Sequence, residues 1–283
     1  MKLFNKEDVD LNITESKCCG TDDIEDARKI CTKLNIQHFI CNYGDSFRKE
    51  VINRFIDAYI NGRTPNPCID CNRYLKFGHL FQKAQELACD YVVTGHYARI
   101  RYDENKKRYL LLKALDQQKD QSYVLYSLNQ TQLAHAMFPL GELTKPEVRA
   151  IAEANNFITA QKNDSQDICF VQNGTYVDFI KQQTGKKFAP GNFVDTKGKV
   201  LGRHKGIIHY TVGQRKGLGL ALPAPMYVQA INPQNNTVIL CSNSELFTKK
   251  VIATDINLID CERISEPCLL YTSDAADEAR SVD

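Results

Sequence analysis

Nothing in this 283-residue sequence approaches the length of a membrane-spanning apolar run, and its opening lacks the charged, apolar and small-residue succession of a secretory signal. The first absence excludes a single-helix anchor, and together they lead to the expectation of a soluble, cytoplasmic protein with no membrane partner. An excess of one charge sign is also lacking: 36 Lys and Arg stand against 34 Asp and Glu, so the chain as a whole is no polycation. Eleven cysteines at irregular spacing are too sparse for a disulfide-stapled miniprotein and suit reduced thiols. A second Cys-x-x-Cys or a His-x-His cluster is missing, which removes the ligand pair that a zinc knuckle at the existing Cys-x-x-Cys would need. With ordinary apolar and charged fractions, 43% and 25%, a chain of this length buries a real core and is expected to form two or more domains.

What is present concentrates in Gly62-Arg-Thr-Pro-Asn-Pro-Cys68-Ile-Asp-Cys71-Asn-Arg-Tyr-Leu-Lys76-Phe77. Pro65 and Pro67 fix their own φ and push the preceding residues out of the α region, so Thr64 to Pro67 is predicted to be a stiff, extended loop carrying Cys68 and Cys71. A thiol near a helix start meets unpaired N–H groups, and Arg63, Arg73 and Lys76 add positive charge, so thiolate is favoured there. Two incidental thiols remain one reading of this pair, and a catalytic or cluster-ligating role the other.

In chain order, Asp22 to Leu34 predicts a helix with Ile24, Ala27, Ile30, Cys31 and Leu34 on one face, and Gln37 to Cys41 predicts a strand. Ser46 is placed to cap a helix through Phe47, Val51, Phe55 and Tyr59 that Gly62 ends. A further helix is expected from about Tyr74 to Ala88, followed by a strand at Asp90 to Thr94. Such alternation indicates a parallel sheet with crossover helices, whose ligands bind at the carboxyl ends of the strands. Thr94-Gly95-His96 falls at such an end, although His96 reads equally well as a hydrogen-bonded structural histidine. Arg99 to Tyr102 and Arg108 to Ala114 read as paired strands. Lys119-Asp120-Gln121-Ser122-Tyr123 reads as a helix start capped by Asp120, and Thr144 with Glu147 as a capping box. Cys169, between Ile168 and Phe170, reads on its own as a core thiol.

Beyond Gly174 the pattern turns to short β runs, including Gly206 to Val212 and a series around an Asn235-Asn236 turn reaching about Ile259, which suggests a barrel or small sheet domain. Within Lys181 to Lys216, nine cations oppose the single acid Asp195. That segment is either a polyanion surface or a solvated basic face. In its glycine-spaced loop Gly213 to Gly219, Arg215 and Lys216 are suited to pair with phosphate.

Six motifs, in this order, resemble the bacterial tRNA-specific 2-thiouridylases, a branch of the PP-loop ATP pyrophosphatases. They are Gly62-Arg-Thr-Pro-Asn-Pro-Cys-x-x-Cys-Asn, Thr94-Gly-His-Tyr-Ala-Arg99, Lys119 to Tyr123, Phe138-Pro-Leu-Gly-Glu-Leu-Thr-Lys-Pro146, Ser165 to Phe170, and Tyr210-Thr-Val-Gly-Gln-Arg-Lys-Gly-Leu-Gly219. The resemblance runs from Met1 to about Pro267 and implies transfer of sulfur to C2 of a wobble uridine after ATP adenylates the C2 oxygen. It implies that Cys71 is the nucleophile and Cys169 the persulfide-bearing partner, the two being able to form a disulfide during turnover. Met1 and Gly95 match nucleotide contacts. Asn66, Pro67 and Cys68 match the segment that meets the target base, and His96, Lys119, Asp120 and Gln121 match tRNA-binding positions. ATP with Mg2+ as cofactor, tRNA and a persulfide donor protein as partners, and a monomeric state are implied with it. The chemistry suits the residues: C2 of uracil is a poor electrophile until AMP becomes its leaving group, and a low-pKa thiolate then carries sulfur well.

The sequence departs from the family in three respects. It contains no Ser-Gly-Gly-Val-Asp-Ser-Ser type loop to cradle pyrophosphate, so the chain is expected to lack the first strand and loop of its PP-loop domain and to be inactive alone. Cys268 to Asp283 is expected to be a non-native tail. Cys68 stands where one branch of the family carries an acid, so Cys68, Cys71 and Cys169 form an alternative set of ligands for a [4Fe–4S] cluster, which their placement on a stiff loop favours over a two-cysteine relay. The expected fold class is α/β: an incomplete parallel-sheet PP-loop (adenine nucleotide alpha hydrolase-like) domain over 1–172, a small β-rich tRNA-binding domain over 173–240, and the start of a C-terminal β-barrel over 241–267. Two other functions remain in view: a non-catalytic RNA-binding remnant, and a different PP-loop ATP pyrophosphatase, against which the Cys71 and Cys169 pair argues.

Overall fold

A computed structural model describes residues 1–3, 21–162, 168–171, 174–247 and 250–264, so the expectations for Phe4 to Gly20, for Asn163 to Asp167 and for the tail lie outside the described residues. The chain divides into two compact units. One comprises Met1–Val51, Pro67–Gln172 and Ile256–Cys268, and the other Ile52–Asn66, Asn173–Asp255 and Leu269–Asp283.

In the first unit, helix α1 (Thr21–Lys33) forms where the periodicity placed it. A second helical run, α2, starts at Gly44 and reaches Ile60 through a π-helical turn at Arg48–Ile52, its residues from Ile52 onward belonging to the second unit. Ser46 does not cap it; the Asn42 side chain accepts the Gly44 amide at 3.1 Å and takes that part instead. Phe47, Val51, Phe55 and Tyr59 are all buried along the run, as their spacing requires. Gly62 ends it in a left-handed conformation at φ 67°, where a Cβ would stand 2.9 Å from the Ile231 side chain.

The third helical run, α3, comprises Pro67–Asp70, a π-helical Cys71–His79 and Leu80–Glu86. It begins seven residues before the expected Tyr74, because proline suits the first helical position, where its missing N–H is no loss. Cys68 and Cys71 therefore sit in the opening turns of a helix and not on the extended loop before it. Strand β1 (Val92–Val93) pairs in parallel with β4 (Ala136–Met137), and Lys2 forms a parallel bridge to Asn42. Among the described residues the predicted strand at Gln37 to Cys41 finds no ladder: a strand needs a partner on its flank, Asn42 alone is bridged there, to Lys2, and Phe39 and Ile40 stay exposed. The hairpin of β2 (Ala98–Asp103) and β3 (Arg108–Lys113) is antiparallel as expected.

Phe77, Val92, Ala98, Val124, Leu125, Leu128, Leu133, Ala136 and Phe138 form the core of this unit, each fully buried large side chain contributing about 1.5–3 kcal/mol. The core packs α3 against the β1–β4 pair and thereby fixes where the cysteine-bearing helix meets the strand ends. Residues 256–264 also dock here: Asn257 donates to the Tyr126 and Leu128 carbonyls at 2.7 and 2.8 Å, and Arg108 Nε to the Ile259 carbonyl at 3.0 Å. The capping box at Thr144 forms, Glu147 accepting from both the Thr144 amide and its hydroxyl at 2.7 Å.

The second unit holds a four-stranded sheet in the order β6-β5-β8-β7, with β5 (Gly191–Asp195) and β8 (Thr237–Cys241) parallel and the flanking β6 (Val200–His204) and β7 (Tyr227–Asn232) antiparallel to them. Among the described residues it is an open sheet and not a closed barrel. Its interior gathers Phe193, Tyr210 and a buried His204, whose Nε2 donates to the Asn236 carbonyl at 3.1 Å while Nδ1 accepts the Gly206 amide at 3.0 Å. Gly206 to Val212, expected as a β run, contains instead a 3-10 turn at Ile207–His209, since Gly206 takes φ 123°. Asn236 makes the β7–β8 turn with φ 49°.

Candidate active site

The carboxyl end of β1 is Thr94-Gly95-His96, and its position is set by the Thr94 amide donating to the Met137 carbonyl at 3.1 Å. Gly95 is exposed, so backbone is open to an approaching ligand there. His96 is not: it is buried with 7% of its surface left, packed against the rings of Phe77 and Phe138 at 6.4 and 5.8 Å. Its Nδ1 lies 2.7 Å from Thr94 Oγ1 and its Nε2 3.4 Å from Lys76 Nζ. Burial, reinforced by the Lys76 charge, pushes its pKa down to about 3. The ring is thus neutral, and because an ammonium can only donate, Nε2 must be the acceptor and Nδ1 carries the hydrogen.

Cys71 and Lys76 share the π-helical segment of α3, whose i→i+5 repeat sets Lys76 one wide turn after Cys71. Cys71 is buried, Cys68, three residues earlier, is exposed, and Cys169 is half-buried. Asn72, next to Cys71 in the chain, is fully buried, donating to the Val124 carbonyl at 3.0 Å while its Oδ1 finds no partner among the described residues. Asn66 and Pro67 lead directly into the helix, with Pro67 buried.

The Lys119-Asp120-Gln121 triplet meets the same strand end. Gln121 exchanges two hydrogen bonds with Tyr97, its amide donating to the Tyr97 carbonyl at 2.8 Å and its Oε1 accepting the Tyr97 amide at 3.1 Å. Asp120 accepts the Ala114 amide at 2.8 Å and the Ser122 hydroxyl at 2.7 Å. These two side chains therefore build the loop, and Lys119 is half-buried beside them. Asp116, not Asp120, caps the first 3-10 turn here, accepting the Gln118 amide at 3.1 Å. Met1 is half-buried next to the Lys2 bridge.

In the second unit Arg215 and Lys216 are both exposed on a loop whose Gly213, Gly217 and Gly219 all take positive φ, 90°, 74° and 69°. Gln214 holds that loop: its Oε1 accepts the Thr211 amide and its Nε2 donates to the Lys216 carbonyl. Lys181, Lys186, Lys187, Lys197, Lys199, Arg203 and Lys205 are exposed as well, and Asp195 is occupied by the Lys197 and Lys199 amides at 2.9 and 2.8 Å.

Three thiolates that ligate one cluster must converge. Among the described residues no group of three or more His, Cys, Asp or Glu side chains is gathered to hold a metal, and Cys68 and Cys71 differ in exposure, one facing solvent and the other the core. The donor set expected for a [4Fe–4S] cluster, Cys68, Cys71 and Cys169, does not fit that group here. The sequence reasoning counted Lys76 only as a positive charge beside the thiols and missed its contact with His96, and it missed Asn72 altogether. The signal for Lys76 was weak because a five-residue spacing from Cys71 is out of phase on an α-helix and comes into phase only on the π turn.

A family model described as tRNA methyl transferase HUP domain matches residues 1–173, and one described as tRNA methyl transferase PRC-barrel domain matches residues 177–242. The HUP match implies ATP binding. A tRNA-specific 2-thiouridylase of Acetivibrio thermocellus is 50% identical over 267 residues, 94% of this chain and 74% of that protein. One of Clostridioides difficile is 47% identical over 94% of this chain and 73% of its own length, and one of Caldanaerobacter subterraneus subsp. tengcongensis 49% identical over 89% and 69%. With identity at this level across both matched domains, the chain belongs to the tRNA-specific 2-thiouridylase family.

Proposed function

We propose that the chain serves ATP-dependent 2-thiolation of a wobble uridine in tRNA, in the cytoplasm, with Cys71 as nucleophile and Cys169 as persulfide carrier. The observation that carries this reading is the convergence, in one unit, of the cysteine-bearing helix on the glycine at the carboxyl end of β1, joined by the Lys76 and His96 side chains. Uridine O2 attacks the α-phosphorus of ATP, which enters with its Mg2+, and pyrophosphate leaves. The terminal sulfur of the Cys169 persulfide then attacks C2 and AMP departs with the oxygen. Cys71 thiolate attacks the inner sulfur of the Cys169–S–S–C2 bridge, forming the Cys71–Cys169 disulfide and leaving C2=S on the base. A thiol reductant must then restore both cysteines.

Two thiols on this path favour thiolation over the methylation in the family models' descriptions, as do the relatives' names. The unpaired anticodon loop presents its base with little unstacking cost, and in this reading Asn66, Pro67 and Cys68 meet it. Lys119 in the first unit and Arg215 and Lys216 in the second supply phosphate contacts. The segments 1–172, 173–240 and 241–267 serve in this reading as catalytic, tRNA-binding and barrel-forming regions, and a protein donor charges Cys169 as the monomer turns over.

Incubation with ATP, tRNA and a persulfide donor, followed by nucleoside mass spectrometry, tests the reading. The sequence holds no Ser-Gly-Gly-Val-Asp-Ser-Ser type loop, so no turnover is expected from the chain alone. Joined to the corresponding N-terminal segment of the Acetivibrio thermocellus relative, it is expected to form 2-thiouridine in a Cys71-dependent way. A folded, tRNA-binding chimera that forms none would overturn the proposal.

A further inference from the structure

A half-buried cation normally sits against a carboxylate, yet Lys76 Nζ meets none among the described residues; what it meets, at 3.4 Å, is the Nε2 of a buried neutral imidazole. A protonated His96 would place a second positive charge at that distance, so the arrangement holds only with the ring acting as acceptor. The imidazole is itself locked by Thr94 at 2.7 Å and by the faces and edges of Phe77 and Phe138. An ammonium has three donors, and one is spent on His96. The others are left at the carboxyl end of β1, beside exposed Gly95 and one π-helical turn from Cys71.

We infer that Lys76 is the residue of this site that binds a phosphate oxyanion, and that His96, which the family resemblance made a tRNA contact, is a positioning residue that aims it. With 7% of its surface exposed, His96 itself has little to offer a ligand. The anion is a phosphate ester, and two sources present that chemistry at this point: the AMP moiety of the activated base and the backbone of the RNA beside it. The inference rests on the functional reading above and adds the residue that meets the charge.

The test uses the full chain with two probes, AMP and an anticodon stem-loop RNA with uridine at the wobble position, titrated at several salt concentrations. Lys76→Met is expected to weaken one of them by about tenfold or more, the size of a lost charge-assisted hydrogen bond. If RNA is the source, the slope of log affinity against log salt also falls by about one. Lys76→Arg keeps the affinity. His96→Ala weakens the same probe but adds little when Lys76 is already Met, and His96→Gln, which retains an acceptor, recovers part of the loss; a structural defect alone would produce neither the non-additivity nor the rescue. Unaltered binding of both probes by Lys76→Met, with the parent chain binding, overturns the inference and leaves the functional reading standing. A parent chain that binds neither probe overturns both.

Discussion

Tyr97 and Gln121 exchange a pair of hydrogen bonds, main chain to main chain at 2.8 Å and main chain to side chain at 3.1 Å, and so tie the His96 segment to the Lys119 loop. Replacing Gln121 by Ala leaves the amide of a buried tyrosine without its acceptor, which costs about 1–3 kcal/mol. Urea unfolding is expected to show that loss, and RNA affinity is expected to fall with it. An RNA-binding defect at full stability would instead make Gln121 a direct contact.

Two glycines near this tie behave differently. A Cβ on Gly141 would lie 1.8 Å from the Ala98 carbonyl oxygen and 2.8 Å from Arg99 Cγ, so Gly141→Ala must displace β2 and is expected to cost about 3 kcal/mol or more. A Cβ on Gly95 would meet only Leu140 Cδ1 at 3.6 Å, an ordinary contact. Gly95→Ala is therefore expected to change stability by less than about 0.5 kcal/mol while weakening AMP binding, because its methyl group occupies ligand space. Thermal melts and a nucleotide titration of the two variants check both halves.

The buried neutral His96 sets a pH dependence. Its folded pKa of about 3 lies below the ordinary 6.5, so the unfolded chain binds the extra proton first. The stabilisation is complete above about pH 6.5 and is lost as pH falls toward 3, with about 2 kcal/mol gone by pH 5. His204 and His209 are also held below their ordinary values by burial and lose stability in the same direction, so the His96 share is read by difference. His96→Gln is expected to flatten the stability curve between pH 7 and pH 5 relative to the parent, and parallel curves would show that His96 titrates normally.

Several local signals survived folding, although the caps expected at Ser46 and Asp120 did not form as read. The β2–β3 hairpin, the Thr144–Glu147 box and the left-handed Gly62 each depend on residues within a few positions of one another, and each forms as the sequence predicts. Gln37 to Cys41 had strand composition, but a parallel strand is made by its neighbours, and composition does not report them. Asp120 and Gln121 were legible as polar and not as scaffold, because their partners Ala114 and Tyr97 lie on other elements. The pairing of Lys76 with His96 spans twenty residues and a π turn, neither of which a periodicity shows.

Arg215 and Lys216 stand exposed on a loop that Gln214 and three positive-φ glycines hold in shape, so changing both to Ala should remove charge without disturbing fold. The salt slope of tRNA binding is expected to fall by about two, with affinity reduced uniformly across tRNA sequences. An unchanged slope in a filter-binding titration would make this a solvated basic face.

The cysteines separate the two sulfur chemistries. In the chimera carrying the relative's N-terminal segment, Cys71→Ser and Cys169→Ser are each expected to abolish 2-thiouridine while leaving tRNA affinity nearly unchanged, because both act on sulfur and neither on docking. Cys68 is the discriminating position. It is exposed where Cys71 is buried, and among the described residues the three thiols do not gather as ligands of one metal centre. Cys68→Ser is therefore expected to retain most activity, as in a two-cysteine relay. Were a cluster the sulfur source, loss of one of three ligands would remove iron, visible absorbance and activity together. Anaerobic purification with iron analysis of all three variants decides it: iron bound in the parent and absent from Cys68→Ser would require the thiols to converge in a way this structure does not show, and full activity in Cys169→Ser would remove the basis of both routes.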